Sequence, residues 1–178
     1  MAEARRSLEL DPFNGLFQTL FGVDLLFAHR VDEAIEVFDT ALVTNPTDPV
    51  ALPSLISAHH HKREYKQALE ALTRYASAVG YSEVTTFLAQ TTADADYSAT
   101  MREAADTLAA RSRKTFVPPW DVASWYAYAG DKERCLEWLE RAYEVRDPNL
   151  PYLGWPDFDF LQSDPRFLDL LKRMKLTD

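Results

Sequence analysis

Two steps into proline, thirty-four residues apart, constrain this chain more than any other feature. Asp11-Pro12 follows the apolar-periodic segment AEARRSLEL, and Asn45-Pro46 follows a second one, AIEVFDTALVT. Proline inside a helix costs about 3 kcal/mol and so collects at helix ends; two such ends at a fixed separation demand a test for a structural repeat. The stretch between the prolines breaks at His29-Arg30 into two halves. Phe17, Leu20, Phe21, Asp24, Leu25 and Ala28 share a spacing of three and four in the first, as do Ala34, Val37, Phe38, Ala41 and Leu42 in the second. Each half therefore reads as a helix with an apolar stripe. Gly22, Ala34 and Ala41 are small where two helix backbones must approach, and Phe38 fills the space between them.

Composition agrees. Only five glycines occur and β-branched alternation is nearly absent, while Ala, Leu, Glu, Arg and Lys dominate, which predicts an all-α fold. At 178 residues the chain is long enough to bury a core as one domain.

A small residue in a first helix, Ala-x3-Phe-x2-Ala along a second and a closing proline resemble the tetratricopeptide repeat, and Gly22, Ala34, Phe38, Ala41 and Pro46 match each of these places. A shift of thirty-four puts Ala68, Leu72, Tyr75 and Gly80 at the second-helix and closing places. A fainter third copy turns at Asp96-Tyr97 and ends near Pro118-Pro119. A fourth turns at Gly130-Asp131 and carries Cys135, Leu139 and Ala142, which makes Cys135 a small buried spacer rather than a reactive thiol. The resemblance implies a right-handed α-solenoid of antiparallel helix pairs, about three to four repeats. The pairs are expected at 12–45, 46–79, 80–117 and 118–148, with an orphan second helix at 1–11 and a capping tail at 149–178. The orphan helix reads either as the end of a longer array or as a lone cap, and it leaves Leu8, Phe13, Phe17 and Leu20 partly uncovered, a face through which two copies could pair.

Within the tail, SDPRFLDLL is a helix start: Ser163 or Asp164 caps it, Pro165 fits its first turn, and Phe167, Leu168, Leu170, Leu171 and Met174 supply the apolar side. A short helical turn is expected just before, over Asp157 to Gln162. AYxxRDP followed by SDPRFxxLLxRM also resembles the tail of tetratricopeptide arrays in bacterial multidomain regulators, which implies a bacterial sensor or scaffold piece, or a stand-alone relative.

The resemblance places the lining of a concave groove at Leu16, Thr19, Val23, Leu26 and Phe27; at Val50, Pro53, Ser57, His60 and His61; at Ser82, Thr85, Ala89 and Thr92; and at Val117, Trp120, Ser124, Ala127 and Tyr128. No lysine, arginine or asparagine is among them. The family's grip on a peptide carboxylate is therefore missing, and the expected partner is a protein or peptide offering an apolar or helical segment.

Other function classes are disfavoured. A net charge of -9 repels nucleic acid, and the cluster Arg111, Arg113 and Lys114 reads as cations at a helix end. No apolar run approaches the roughly 20 residues that span a bilayer, and one cysteine permits no internal disulfide, so the expected setting is cytoplasmic without a membrane partner. Neither a phosphate loop, a nucleophile elbow nor HExxH is present, so no enzyme and no cofactor are expected. His59, His60 and His61 are consecutive, but neighbours on a helix point about 100° apart, and no metal site is expected of them. His59 is expected to pack, with His60 and His61 turned toward the groove.

Overall fold

Helix accounts for all regular structure among the residues that the computed structural model describes, namely 6, 8–11, 14–92 and 95–176. The helices are α1 (Gly15–Phe27), α2 (Val31–Thr44), α3 (Ala51–His61), α4 (Tyr65–Ala78), α5 (Ser82–Gln90), α6 (Tyr97–Arg111), α7 (Pro119–Tyr128), α8 (Lys132–Val145) and α9 (Pro165–Arg173), with 3₁₀ turns at Leu150–Tyr152 and Pro156–Leu161 before the last. Residues 6 and 8–10 of the leading segment have helical backbone, whereas the rest of 1–10, with Pro12 and Phe13, lies outside the described residues. By internal packing the chain divides into two compact units, residues 1–85 and 86–178, with the boundary inside α5. The expected third pair is thus split, and α6 belongs to the unit that follows.

In the first unit α1 packs on α2 and α3 on α4, and α3 also meets α2 and α1. The reason lies in the small residues. Ala34, Phe38 and Ala41 on α2 are fully enclosed, and a Cβ built on Gly22 of α1 would stand 2.5 Å from Phe38 Cε1. Only glycine admits the phenyl ring so close. Ala68, Leu72 and Tyr75 occupy the same places on α4 and are buried in turn.

The turns of three pairs, α1–α2, α3–α4 and α7–α8, share one backbone geometry. His29 and Arg63, thirty-four residues apart, both adopt the left-handed conformation (φ 56° and 59°), as Gly130 does in the second unit (φ 69°). At each, the next residue's N–H reaches five residues back: Arg30 to Leu25 O, Glu64 to His59 O and Asp131 to Tyr126 O, all at 2.9 Å. This is the Schellman closure, which satisfies carbonyls that the helix end leaves open and usually takes glycine. An L-residue there is strained. Arg63 is exposed, so Arg63→Gly is expected to stabilise the first unit by about 0.5–1 kcal/mol, measured as a rise in the denaturant midpoint at unchanged slope.

In the second unit α7 packs on both α6 and α8 and is buried nearly all round. On α8, Cys135, Leu139 and Ala142 have no exposed surface. Tyr126 of α7 is also fully enclosed, yet its hydroxyl donates to Asp106 Oδ1 (2.6 Å), while Arg134 Nη1 donates to the same carboxylate (2.7 Å) and to the phenol oxygen (3.0 Å). Burial first, and then the Asp106 carboxylate, push the Tyr126 phenol up to about 12. Its ordinary value is near 10. The stability this contributes is complete below pH 10 and lost as pH rises from about 10 to about 12. Absorbance titration at 295 nm is expected to show one phenol ionising near pH 12 that disappears in Tyr126→Phe.

The tail belongs to this unit. Arg146 ends α8 in the left-handed conformation (φ 56°), which turns Asp147 back so that its carboxylate accepts from Trp120 N (3.2 Å) at the start of α7 and from Asn149 N (3.0 Å). Asp164, with Pro165 behind it, caps α9 by accepting from Arg166 N (2.9 Å). Phe167 and Leu170 are buried, Leu171 and Met174 are half-buried, and Leu168 is exposed. Arg166 forks onto Glu133 (2.6 and 2.8 Å) and Arg173 pairs with Glu140, so both ends of α9 are tied to α8. Arg166 and Lys132 hold the Asp164 carboxyl well below the usual carboxylate range.

Candidate functional site

The expected lining residues fall into two groups with different fates. In the first unit, Leu16 and Phe27 of α1 are 59% and 38% exposed, and Leu20, which lies between them on the same face, is 42% exposed. At 100° per residue, positions 16, 20 and 27 fall within about 40° of one another. They form one narrow apolar stripe along α1. Thr19 and Val23 turn inward instead, at 1% and 8% exposure, and the Thr19 hydroxyl is satisfied within its own helix by Gly15 O (2.9 Å). Neither is open to solvent, contrary to the expectation of a lining position: a helix as apolar as GLFQTLFGVDLLF has too little polar surface to show which side faces out.

On α3, Ser57 is buried, Pro53 and His60 are half-buried, and His61 is exposed. The rings of His60 and His61 meet edge to face with centroids 5.4 Å apart, and His60 also lies 6.5 Å from the Tyr65 ring. His59 is polar in its role as well as packed: its Nδ1 lies 2.8 Å from Glu64 Oε2. Lys62 bridges the other oxygen of Glu64 (2.8 Å) to Asp32 of α2 (2.7 Å). Lys62 first, and then His59, hold the Glu64 carboxyl below its ordinary value. The histidine run is therefore built into the α3–α4 turn. Among the described residues no three His, Cys, Asp or Glu side chains gather as a metal site would require. On α5, Thr85 is half-buried, with its hydroxyl donating to Ser82 O (2.9 Å), and Ala89 is exposed.

In the second unit the expected lining is covered by the chain itself. Trp120 stands edge-on to Phe158 (centroids 5.1 Å), and the Tyr128 hydroxyl donates to Asp157 Oδ2 (2.6 Å). Ser124 and Tyr128 are 7% and 6% exposed, and Phe158 and Leu161 are essentially enclosed. The segment Pro156–Leu161 thus lies on α7 where an open wall is expected for Trp120, Ser124 and Tyr128. Sequence reading places a helical turn over this segment but not its seat. The available signal is the pairing of inward Asp157 and Phe158 with outward Asp159 and Phe160.

Cys135 is buried and close enough to Asp157 and Asp131 for their charges to act on it; burial first, then these carboxylates, push its thiol up. The thiolate that nucleophilic chemistry needs is suppressed. No helix among the described residues is long and apolar enough to cross a membrane. Neither a scan against protein-family models nor a search of curated proteins finds a match to this chain.

Proposed function

We propose that the chain is a non-catalytic protein-interaction module that holds a peptide or partner helix against the stripe of Leu16, Leu20 and Phe27. In this reading the helix pairs stack as a right-handed tetratricopeptide-like solenoid of about three to four repeats, closed by the C-terminal tail. The observation that carries it is the exposure of these three large side chains on one side of α1. Contiguous apolar surface on a helix face is what a partner helix covers, anchored at positions spaced as these are. Stacking of α3 on both helices of the pair before it, together with the repeated turn geometry, supports the solenoid.

The same stripe favours a second reading, a structural piece in which two copies pair through it. Light scattering across a concentration series separates the two: a monomer at every concentration removes self-association. For the first reading, a displayed peptide library is selected on the full chain, and the selected peptides are then assayed against Leu16→Gln and Leu20→Gln. Unchanged binding to both variants would remove it.

A further inference from the structure

Four consecutive exposed residues, Arg113, Lys114, Thr115 and Phe116, lie in the connection between α6 and α7. α6 ends at Arg111, whose carbonyl accepts from Lys114 N (2.9 Å) and Thr115 N (3.1 Å). Beyond Thr115 the chain is irregular and reaches Pro118 in extended conformation (φ −56°, ψ 124°), with buried Val117 and Pro119 fixing this end of the connection to the second unit. The hydroxyls of Thr40, Thr73 and Thr100 each donate to the carbonyl four residues back. The Thr115 hydroxyl makes no hydrogen bond among the described residues, and neither Arg113 nor Lys114 pairs with a carboxylate there. An open hydroxyl in non-helical chain, with two cations before it and an apolar side chain after it, suits an acidic substrate groove. Arginine and lysine meet carboxylates in charge-assisted hydrogen bonds, and such charge patterns are how kinases choose among substrates.

We propose that Thr115 is a phosphorylation site for a serine/threonine kinase that selects cations on the N-terminal side of its acceptor. In the transfer, Thr115 Oγ1 forms a bond to the γ-phosphorus of a nucleoside triphosphate as the bridging β–γ P–O bond breaks. The nucleoside diphosphate leaves, and the hydroxyl proton passes to the kinase's carboxylate base. The product carries close to two negative charges beside Arg113 and Lys114, which are at hand to pair with it. Backbone conformation decides between Thr115 and Ser77. Ser77 is also exposed and stands three residues after Arg74, so the sequence offers it equally. It lies within α4, however, whose last turn must unwind before Ser77 can enter an extended groove. Thr115 requires no helix to unwind. The site is independent of the α1 stripe and of the reading built on it.

The test incubates the full chain with ATP and a serine/threonine kinase of broad preference for basic residues, and locates phosphate by tandem mass spectrometry. Ser7 and Thr177 also follow cations and lie outside the described residues, so the protein used carries Ser7→Ala and Thr177→Ala. Phosphate is expected on Thr115 and not on Ser77. The initial rate at Thr115 is expected to fall at least about tenfold in the double variant Arg113→Ala/Lys114→Ala, which removes both charge-assisted contacts. Both replaced side chains are exposed, and an unchanged helical circular dichroism shows that the variant is folded. Absence of phosphate from Thr115, transfer to Ser77 at a matching rate, or a rate at Thr115 indifferent to the loss of Arg113 and Lys114 would each overturn the proposal. None of these outcomes bears on binding at the α1 stripe.

Discussion

Phe38→Ala is expected to destabilise the first unit by about 3–5 kcal/mol, the range for deleting a fully enclosed phenyl ring. Phe38 has no exposed surface and lies against the backbone of Gly22, so the void cannot be filled by the side chain opposite. The converse substitution, Gly22→Ala, gains helix propensity of about 1 kcal/mol but drives its Cβ into the ring, and overpacking at about 1–3 kcal/mol outweighs it. The two changes should not add. In Phe38→Leu the penalty of Gly22→Ala is expected to shrink by at least about 0.5 kcal/mol, because the smaller side chain can withdraw. Equilibrium denaturation of Phe38→Ala checks the first statement, and that of wild type, Gly22→Ala, Phe38→Leu and the double variant checks the second. Strict additivity would show that the ring and the glycine are not in contact.

Leu139→Ala is expected to cost about 2–5 kcal/mol in the second unit. Leu139 occupies on α8 the place that Phe38 holds on α2, is equally enclosed, and lies between the small residues Cys135 and Ala142. Exposed Val145, on the same helix and of similar character, is the control: Val145→Ala should cost less than about 0.5 kcal/mol. Protection of the α6, α7 and α8 amides from hydrogen exchange reads the difference within this unit. A small effect at Leu139 would mean that the equivalence between α2 and α8 is one of sequence pattern only.

The helices were legible because the chain marks several of their ends. Asp164, read with Ser163 as a cap, does cap the last helix with Pro165 in its first turn, Asp96 and Asp131, read as turn positions, cap the helices that follow them, and the turns of the first two pairs stand thirty-four residues apart at His29 and Arg63. Ala34, Phe38 and Ala41 could be assigned to a helix–helix contact because only small residues beside one large one fit that spacing. The open surface was less legible for the same physical reason. On α1 almost every residue is apolar, so periodicity cannot tell Leu16 and Leu20, which face solvent, from Thr19 and Val23, which do not. Trp120 and Tyr128 were recognised as chemically useful side chains, but their occupants come from about thirty residues further on. A Tyr-to-Asp hydrogen bond at that separation leaves no local pattern to read. Asp147 was visible only as a member of AYxxRDP, although its carboxylate accepts from Trp120 N at the start of a helix that begins at Pro119.

The account's central claim is that α1 presents a binding surface. The most direct test is the dissociation constant of a library-selected peptide for the full chain and for Leu20→Gln, with the helical circular dichroism and thermal midpoint of both recorded. Leu20 lies in the middle of the stripe and is already 42% exposed, so the substitution leaves the fold nearly unchanged. A central anchor of this kind contributes about 2 kcal/mol or more on truncation, so binding is expected to weaken at least about thirtyfold with the midpoint unmoved. The same affinity for both proteins, with both folded, would contradict the claim.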